Sequence, residues 1–244
     1  MKRATTISVQ LISFETLQTP GESKVENCKG LLFYNVGADT RAAAMLPASH
    51  QAFKFLILGL HENESSANYF IDNNKTIFPW LDESNEIWRA VLQPYHHKGE
   101  ANYLDPKNPA KLFDELVKSP GSNAPVVVLT TAGFVTGESL DMNRVMKFSE
   151  GTGAVRVSMT ALDGLHSQQS FVFPGVLTND FMSVTLWRDS ASVGKFAYGS
   201  SIHKMLIEKQ HTQNMADRTS FTRCKIIRSD GTWHGTDPTK WNQN

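Results

Sequence analysis

Short stretches of alternating apolar and polar residues, rich in β-branched and aromatic side chains, recur along the chain and predict β-strands. The predicted strands are Thr6–Phe14, Gly30–Val36, Phe53–Leu60, Trp88–Pro94, Pro125–Phe134, Ala154–Ala161, Phe181–Trp187 and Phe221–Arg228. Stretches with helical periodicity and start signals lie between them. The predicted helices are Ser65–Asn73, Pro109–Lys118, Ser139–Glu150, Ala191–Tyr198 and Ser201–Met215.

The order of these elements is similar in the two halves of the chain and is typical of a ferredoxin-like unit, in which strands and helices alternate as a split βαβ motif. The first half lacks a clear opening helix, because Pro20 and Gly21 leave room only for a short one. The helix predicted at Ser139–Glu150 has Ser139 as its start signal, and Gly151 is interpreted as its end.

Two sequence matches indicate an internal repeat. Residues 58–70 resemble residues 185–197, and the strand that leads to Gly99 resembles the strand that leads to Gly231. A single ferredoxin-like unit leaves one face of its sheet bare, and two units can cover these faces by packing together. The expected fold is therefore α+β, with tandem ferredoxin-like repeats (1–120 and 121–244) packed as a dimeric-type α+β barrel in one compact body.

Composition excludes some classes of protein. Lys plus Arg and Asp plus Glu are both 24, so nothing indicates a general affinity for nucleic acid or anionic lipid. Two cysteines are too few for a disulfide framework, which favours a reducing, cytoplasmic location. The N-terminus is interpreted as a strand and not as a signal peptide, and no apolar run is long enough to be a transmembrane segment.

The segment GSSIHKMLIEKQH (199–211) carries the main candidate for chemistry. Gly199 is expected to end one helix and a serine to cap the next, which places His203 in its first turn. The partial positive charge of a helix N-terminus favours a neutral imidazole, whose lone pair can bind a metal. Leu206 and Ile207 could give a flat apolar cofactor a surface to lie against.

A simpler interpretation is that His203 is a half-buried residue bonded to backbone. No histidine spacing in the chain predicts a closed zinc site, whereas haem needs only one protein ligand. The chain contains no Gly-rich phosphate motif and no nucleophile-elbow motif. Arg156 and Arg223, on predicted strands of the second half, could face a buried pocket or a solvated surface.

The second half resembles the spheroidene monooxygenase family of carotenoid biosynthesis. The similarity runs through VLTTAGF, SLDMNRVMKFSEG, VRVSMTALDG, SVTLWRDSASVGKFAY with the following SSIHK, and SFTRCKIIRSDGTWHGTDP. The matching positions are Trp187, Asp189, His203, Phe221, Arg223, Gly231, Trp233, Gly235, Asp237 and Pro238. The first half follows the family more loosely, through LLFYNVGAD, FLILGLHENESSANYF and IWRAVLQPY.

This resemblance implies a monooxygenase that contains haem b, acts on an apolar, carotenoid-like substrate and takes electrons from a ferredoxin-type donor. It implies that His203 is the axial iron ligand, with Phe196, Ser200, Leu206 and Ile207 as cofactor contacts. It also gives Arg156 and Arg223 catalytic roles near the haem, although the family has Lys where this chain has Arg156. Because of this departure, the resemblance does not identify the substrate.

Two alternatives remain beside the monooxygenase. One keeps the haem but acts as a lyase or dehydratase of the aldoxime-dehydratase type, with no electron donor. The other is a cofactor-free α+β barrel that binds a small ligand or assembles as a homo-oligomer.

Overall fold

The computed structural model of the protein describes residues 4–39, 51–99, 113, 116–121, 123–135, 141–174 and 178–240. Within these ranges the chain forms eight strands and five α-helices. The strands are β1 (Thr6–Gln18), β2 (Leu31–Asp39), β3 (Ala52–His61), β4 (Glu86–Gly99), β5 (Val126–Val135), β6 (Leu165–Pro174), β7 (Thr178–Trp187) and β8 (Arg218–Gly231). The α-helices are α1 (Glu64–Asp72), α2 (Asn74–Ile77), α3 (Met142–Met159), α4 (Ser190–Gly199) and α5 (Ser201–Gln213).

The strands close into a barrel in the order β1-β3-β2-β6-β7-β5-β8-β4. The two halves meet at two antiparallel seams, β4 with β8 and β2 with β6. At the first seam Trp88 pairs with Gly231 and Gly99 pairs with Ser220. Ser220 lies 132 positions after Trp88, and Gly231 lies 132 positions after Gly99. Exchanging β4 and β8 therefore turns one of these pairs into the other. This internal two-fold relation shows that tandem ferredoxin-like repeats form the α+β barrel, whereas a boundary at residue 120 stays a prediction.

Side chains alternate between the barrel interior and an outer helix layer, as the two-residue period of a strand requires. On β1, Ile7, Val9 and Leu11 lie in the interior core, which also contains Trp88. The intervening side chains of β1 face the helices instead, and Ile12 packs in an outer cluster with α1. Each repeat therefore has a layer between the outer face of its sheet and its helices.

Equivalent caps start α1 in the first repeat and α4 in the second. The side chain of Asn63 accepts a hydrogen bond from the Ser66 N–H at 3.0 Å, and that of Asp189 accepts one from the Ser192 N–H at 2.7 Å. The two caps are 126 positions apart, which fixes the alignment of the two helix layers.

The region around residue 154 contradicts two predictions. The predicted strand Ala154–Ala161 is part of α3, which continues through the glycine interpreted as its end. Asp141 is the cap, since its side chain accepts from two backbone N–H groups, and the predicted start signal Ser139 lies outside the described residues. Gly151 lies where α3 crosses α5, and a Cβ there would come within 2.6 Å of the Leu206 side chain. The glycine therefore permits close helix packing and does not end the helix.

Other differences are smaller. Strand β6 was not predicted, because its sequence LHSQQSFVFP begins with polar residues. The expected short opening helix is the 3₁₀ turn Val25–Asn27. Most of Pro109–Lys118 lies outside the described residues, but Phe113 forms a β-bridge with Ala4 and residues 116–118 are not helical. No helix in the described ranges is long and apolar enough to cross a membrane.

Candidate functional site

Two helices of the second repeat meet at Ser200. The Ser200 N–H donates to the Phe196 carbonyl at 3.1 Å and so ends α4. Its hydroxyl oxygen accepts from the His203 N–H at 3.2 Å and so caps α5. The predicted break at Gly199 and the predicted serine cap are confirmed, and His203 lies in the first turn of α5.

The imidazole of His203 is held in one tautomer. Its Nδ1 lies 3.1 Å from the carbonyl oxygen of Ala197. A carbonyl can only accept, so Nδ1 carries the proton and Nε2 of the neutral ring keeps its lone pair. Among the described residues, none forms a hydrogen bond with Nε2. The backbone bond fits a structural histidine, but a metal-binding histidine also needs such a bond to orient its ring.

The pKa of His203 is lowered from its usual value, because partial burial disfavours the imidazolium form. The hydrogen bond to Ala197 raises the pKa and offsets part of this effect. The neutral ring that was expected from the helix N-terminus is thus favoured here by burial.

Aromatic rings support one side of His203. The Phe196 ring centroid lies 4.7 Å from that of His203, and Trp187 lies 5.6 Å beyond Phe196. Met205, two positions further along α5, is 47% exposed.

The first repeat shows what this layer looks like when it is filled. Ile77 lies 126 positions before His203, the same interval that separates the caps Asn63 and Asp189, so Ile77 is the equivalent of His203. The Ile77 side chain is buried in the outer cluster. Gln10 on β1 pairs with Arg89 on β4, and Thr130 on β5 pairs with Phe221 on β8. Arg89 and Phe221 are 132 positions apart, as are the other equivalent residues of β4 and β8. Gln10 and Thr130 therefore occupy equivalent positions in the two repeats. Gln10 is fully buried and accepts a hydrogen bond from the Asn74 side chain at 2.9 Å.

In the second repeat the equivalent position is open. Thr130 lies in the middle of β5, with β7 and β8 on either side, and yet it is exposed. Its neighbours in register, Ser183 and Phe221, are half-buried. The barrel core occupies the inner face of β5, so this exposure is on the outer face, below the helix layer. We call Thr130, Ser183 and Phe221 the open strip.

The helices above the open strip are loosely packed. None of the residues of α5 is buried, and Met159 is the one buried residue among those of α3. His203, Leu206 and Gln210 are half-buried and lie on one side of α5 at helical spacing. A helix that flanks a sheet normally buries one face against it. The helix layer of the second repeat is thus packed less tightly against its sheet than the layer of the first repeat.

Arg223 lies at the edge of the open strip. It is on the outer face of β8, with its guanidinium carbon 5.2 Å from the centroid of the Phe221 ring. Its Nε is buried and has no hydrogen-bond partner. Burial, together with the charge of Arg223, lowers the pKa of the neighbouring His96. A buried donor without a partner is costly, so this position favours an anionic group beside Arg223.

The remaining predicted site residues are less close together. Arg156 is on helix α3, not on a strand, and is exposed. Leu206 contacts the α3 crossing at Gly151, whereas Ile207 is 42% exposed. In the first repeat the short helix α2 occupies the place that corresponds to the start of α5, and it ends before Pro79. In the described residues, no group of three His, Cys, Asp or Glu side chains is placed to hold a metal ion.

The first repeat has a cavity of its own. It measures about 300 Å³, is lined by polar residues that include Asn74 and Arg89, and does not include His203. The layer next to it is closed by His61, whose ring lies between the hydroxyl groups of Ser8 and Ser66 at 2.8 and 3.1 Å.

Comparisons with known proteins support the fold. No protein-family model matches the sequence, and no functionally curated protein matches it. An aldoxime dehydratase solved in complex with butyraldoxime superposes with a TM-score of 0.51 at 9% identity, over 91% of this chain and 79% of that one. A ferredoxin fold protein of Listeria monocytogenes related to antibiotic biosynthesis monooxygenases gives a TM-score of 0.33 at 10% identity, over 93% of this chain and 97% of that one. An anthrone oxidase-like protein gives 0.35 at 8% identity, over 95% of both chains.

At these identities the similarity concerns the fold alone. Of these three structures, the aldoxime dehydratase superposes well enough to bear on the fold of this chain. Sequence reasoning missed Thr130, for which the available signal was its alignment with Gln10 through the strand pairing. Aligning Thr130 with Gln10 requires the register of β1 and β5 with their neighbouring strands. Neither of the two sequence matches includes β1 or β5.

Proposed function

We propose that this protein is a monooxygenase that binds haem b in the second repeat, between the outer face of its sheet and helices α3 and α5, and oxygenates an apolar, carotenoid-like substrate. The observation that carries this proposal is the contrast between the two repeats. Where the first repeat has Ile77 and Gln10, both buried, the second has His203 and the exposed Thr130.

The residues of the second repeat fit haem on three points. His203 offers a neutral Nε2 with its other nitrogen bonded to Ala197. Arg223 offers a buried donor without a partner, suited to a haem propionate. The open strip offers space on the sheet. Bound haem would supply the redox-active iron for oxygen chemistry, with electrons from a ferredoxin-type donor.

The protein's own contribution is binding and orientation. Ser200 fixes the first turn of α5 and thereby the backbone of His203. Phe196 supports the imidazole ring, and Leu206 holds α5 against α3. Arg223 is proposed to neutralise a propionate, and the exposed Arg156 is proposed to act only from the rim of the layer.

The resemblance of the second-repeat motifs to the spheroidene monooxygenase family supports the substrate class. The apolar character of the layer, with Val126, Val128, Phe196 and Phe221 in one cluster, suits an apolar substrate. We infer no particular carotenoid.

The test is turnover by the full chain expressed with a supply of haem. A carotenoid, oxygen and a ferredoxin with its reductase should give a product heavier by one oxygen atom, detected by mass spectrometry. His203→Ala should abolish the product, whereas the matched control His211→Ala, exposed on the same helix, should retain it. A protein that converts an aldoxime to a nitrile without any electron donor would instead be a dehydratase. A protein that takes up no haem would refute both haem-based functions.

A further inference from the structure

The helix layer of the second repeat has an outward face that no part of the described chain covers. Met142, Met146 and Val157 on α3 are 58%, 57% and 69% exposed. Their spacing places them on one side of the helix, while Val145, Phe148 and Val155 pack towards the sheet. Helix α3 is therefore apolar on two opposite sides. We call Met142, Met146 and Val157 the outer stripe.

More apolar side chains lie exposed on the adjoining helices. Tyr198 is the last residue but one of α4, and Met205 and Ile207 lie on either side of the half-buried face of α5. Together α3, α4 and α5 carry six of the eleven exposed large hydrophobic residues of the described chain. Exposed apolar residues are ordinary when scattered singly, but this concentration on one helix layer indicates an interaction surface.

The same helices carry an excess of positive charge. Their basic residues are Arg144, Lys147, Arg156, Lys195, Lys204 and Lys209, and their acidic residues are Glu150 and Glu208. The caps Asp141 and Asp189 add two carboxylates, and Arg144 forms an ion pair with Asp217. The positive excess is therefore carried by Arg156 and the four lysines. Because the whole chain has equal numbers of basic and acidic residues, the rest of it must carry a matching negative excess. The helix layer of the first repeat differs: α1 and α2 contain Glu64, Asp72 and Lys75, and their one exposed large hydrophobic is Tyr69.

We propose that the outer stripe and its surrounding lysine and arginine residues bind the protein to the surface of an anionic lipid bilayer. Apolar side chains flanked by long basic side chains suit the boundary between acyl chains and headgroups. A second copy of this chain is a poorer occupant, since a symmetric interface would place two positive faces against each other. A net charge of zero gave no indication of affinity for anionic lipid, because it averages over this asymmetry.

This proposal goes beyond the proposed function and does not rest on it, because binding to lipid is measured equally with or without haem. Full-length protein is sedimented with vesicles of phosphatidylcholine alone, or of an equimolar mixture with phosphatidylglycerol. Binding is expected on the mixed vesicles only and should fall at high salt. Each of Lys147→Gln and Lys204→Gln should weaken the partition coefficient by about fivefold.

The decisive variant is Met146→Gln with Val157→Gln, which keeps good helix formers and removes apolar surface. It should weaken binding by about tenfold or more. The matched control is Leu17→Gln with Tyr69→Gln, which removes two exposed residues of the first repeat and should bind as the unmodified protein does. Circular dichroism checks that both variants fold.

Three results would overturn the proposal. One is the absence of binding to mixed vesicles, and another is equal binding to neutral and mixed vesicles. The third is a dimer in sedimentation velocity without lipid that the outer-stripe variant converts to a monomer, which would identify an interface between copies.

Discussion

His61 makes the stability of the protein depend on pH in a way that can be calculated. The ring is fully buried, with Nε2 2.8 Å from the Ser8 hydroxyl and Nδ1 3.1 Å from the Ser66 hydroxyl. Burial lowers its pKa from 6.5 to about 3, because the imidazolium form would lose its hydration. The native protein therefore keeps this ring neutral at mildly acidic pH.

The unfolded chain binds a proton at His61 once the pH falls below about 6.5, whereas the native chain does so only near 3. The unfolded state thus holds more protons in this window, and the free energy of unfolding falls as the pH decreases. Each pH unit within the window costs about 1.4 kcal/mol. Between pH 7 and pH 5, His61 alone should lower the free energy of unfolding by about 2 kcal/mol.

Urea denaturation of the unmodified protein and of His61→Gln at the two pH values measures this contribution. Glutamine keeps a donor and an acceptor for the two serines but does not titrate. The unmodified protein should lose about 2 kcal/mol more than His61→Gln on acidification, because contributions from the other histidines cancel in the comparison. His211→Gln, a change at an exposed position, should leave the loss as it is in the unmodified protein.

Equal losses in the unmodified protein and His61→Gln would refute this reasoning. If His61→Gln does not fold, an NMR titration of the His61 ring in the unmodified protein decides instead. A ring that gains its proton near pH 6 would contradict the account.

Further predictions concern the second repeat. Thr130→Gln, which introduces the residue found at the equivalent position of the first repeat, should weaken haemin binding by about tenfold or more in an absorption titration, because the longer side chain occupies the open strip. Ser200→Ala should lower the free energy of unfolding by about 1 kcal/mol in urea, since the first turn of α5 loses its cap, and Ser200→Asn should restore it. Gly133→Ala should cost roughly 3 kcal/mol, because its Cβ would overlap the buried Asp180–Arg218 ion pair. Its control, Gly194→Ala, has no atom within 4 Å and should stabilise α4 by about 0.5 kcal/mol in the same assay.

The strands were the most predictable part of the fold, since a period of two follows directly from a sheet with one face on a core. Seven of the predicted strands overlap strands in the described residues, and the exception contains Val155 and Val157. Those two valines belong to a helix, where Val155 packs inward and Val157 is exposed. β-Branched residues favour strands only weakly. The cap at Asp141 and tertiary packing make this segment a helix instead.

The candidate site was predictable where it depends on local sequence. Gly199, Ser200 and His203 lie within five positions, so the helix break, the cap and the first-turn histidine follow from capping rules. The open strip does not, because Thr130 acquires its importance from strand pairing and from helices far along the chain. Arg156 was misplaced for a similar reason: its role was inferred from a strand that is a helix.

The amino-acid composition alone also could not predict the basic, apolar helix layer. A net charge of zero averages over the whole chain, and only the fold brings α3, α4 and α5 together on one side. Charge patterning therefore becomes informative once the helices are assigned to faces.

The absorption spectrum of the purified full chain titrated with haemin tests the central claim most directly. The unmodified protein should give a saturable, one-to-one Soret band that shifts on reduction with dithionite and on addition of carbon monoxide. His203→Gly should lose the ligand-dependent features of this spectrum, and added imidazole should restore them, while His211→Gly should match the unmodified protein. A haemin spectrum that is the same in His203→Gly, or a protein that binds no haemin, would contradict the account.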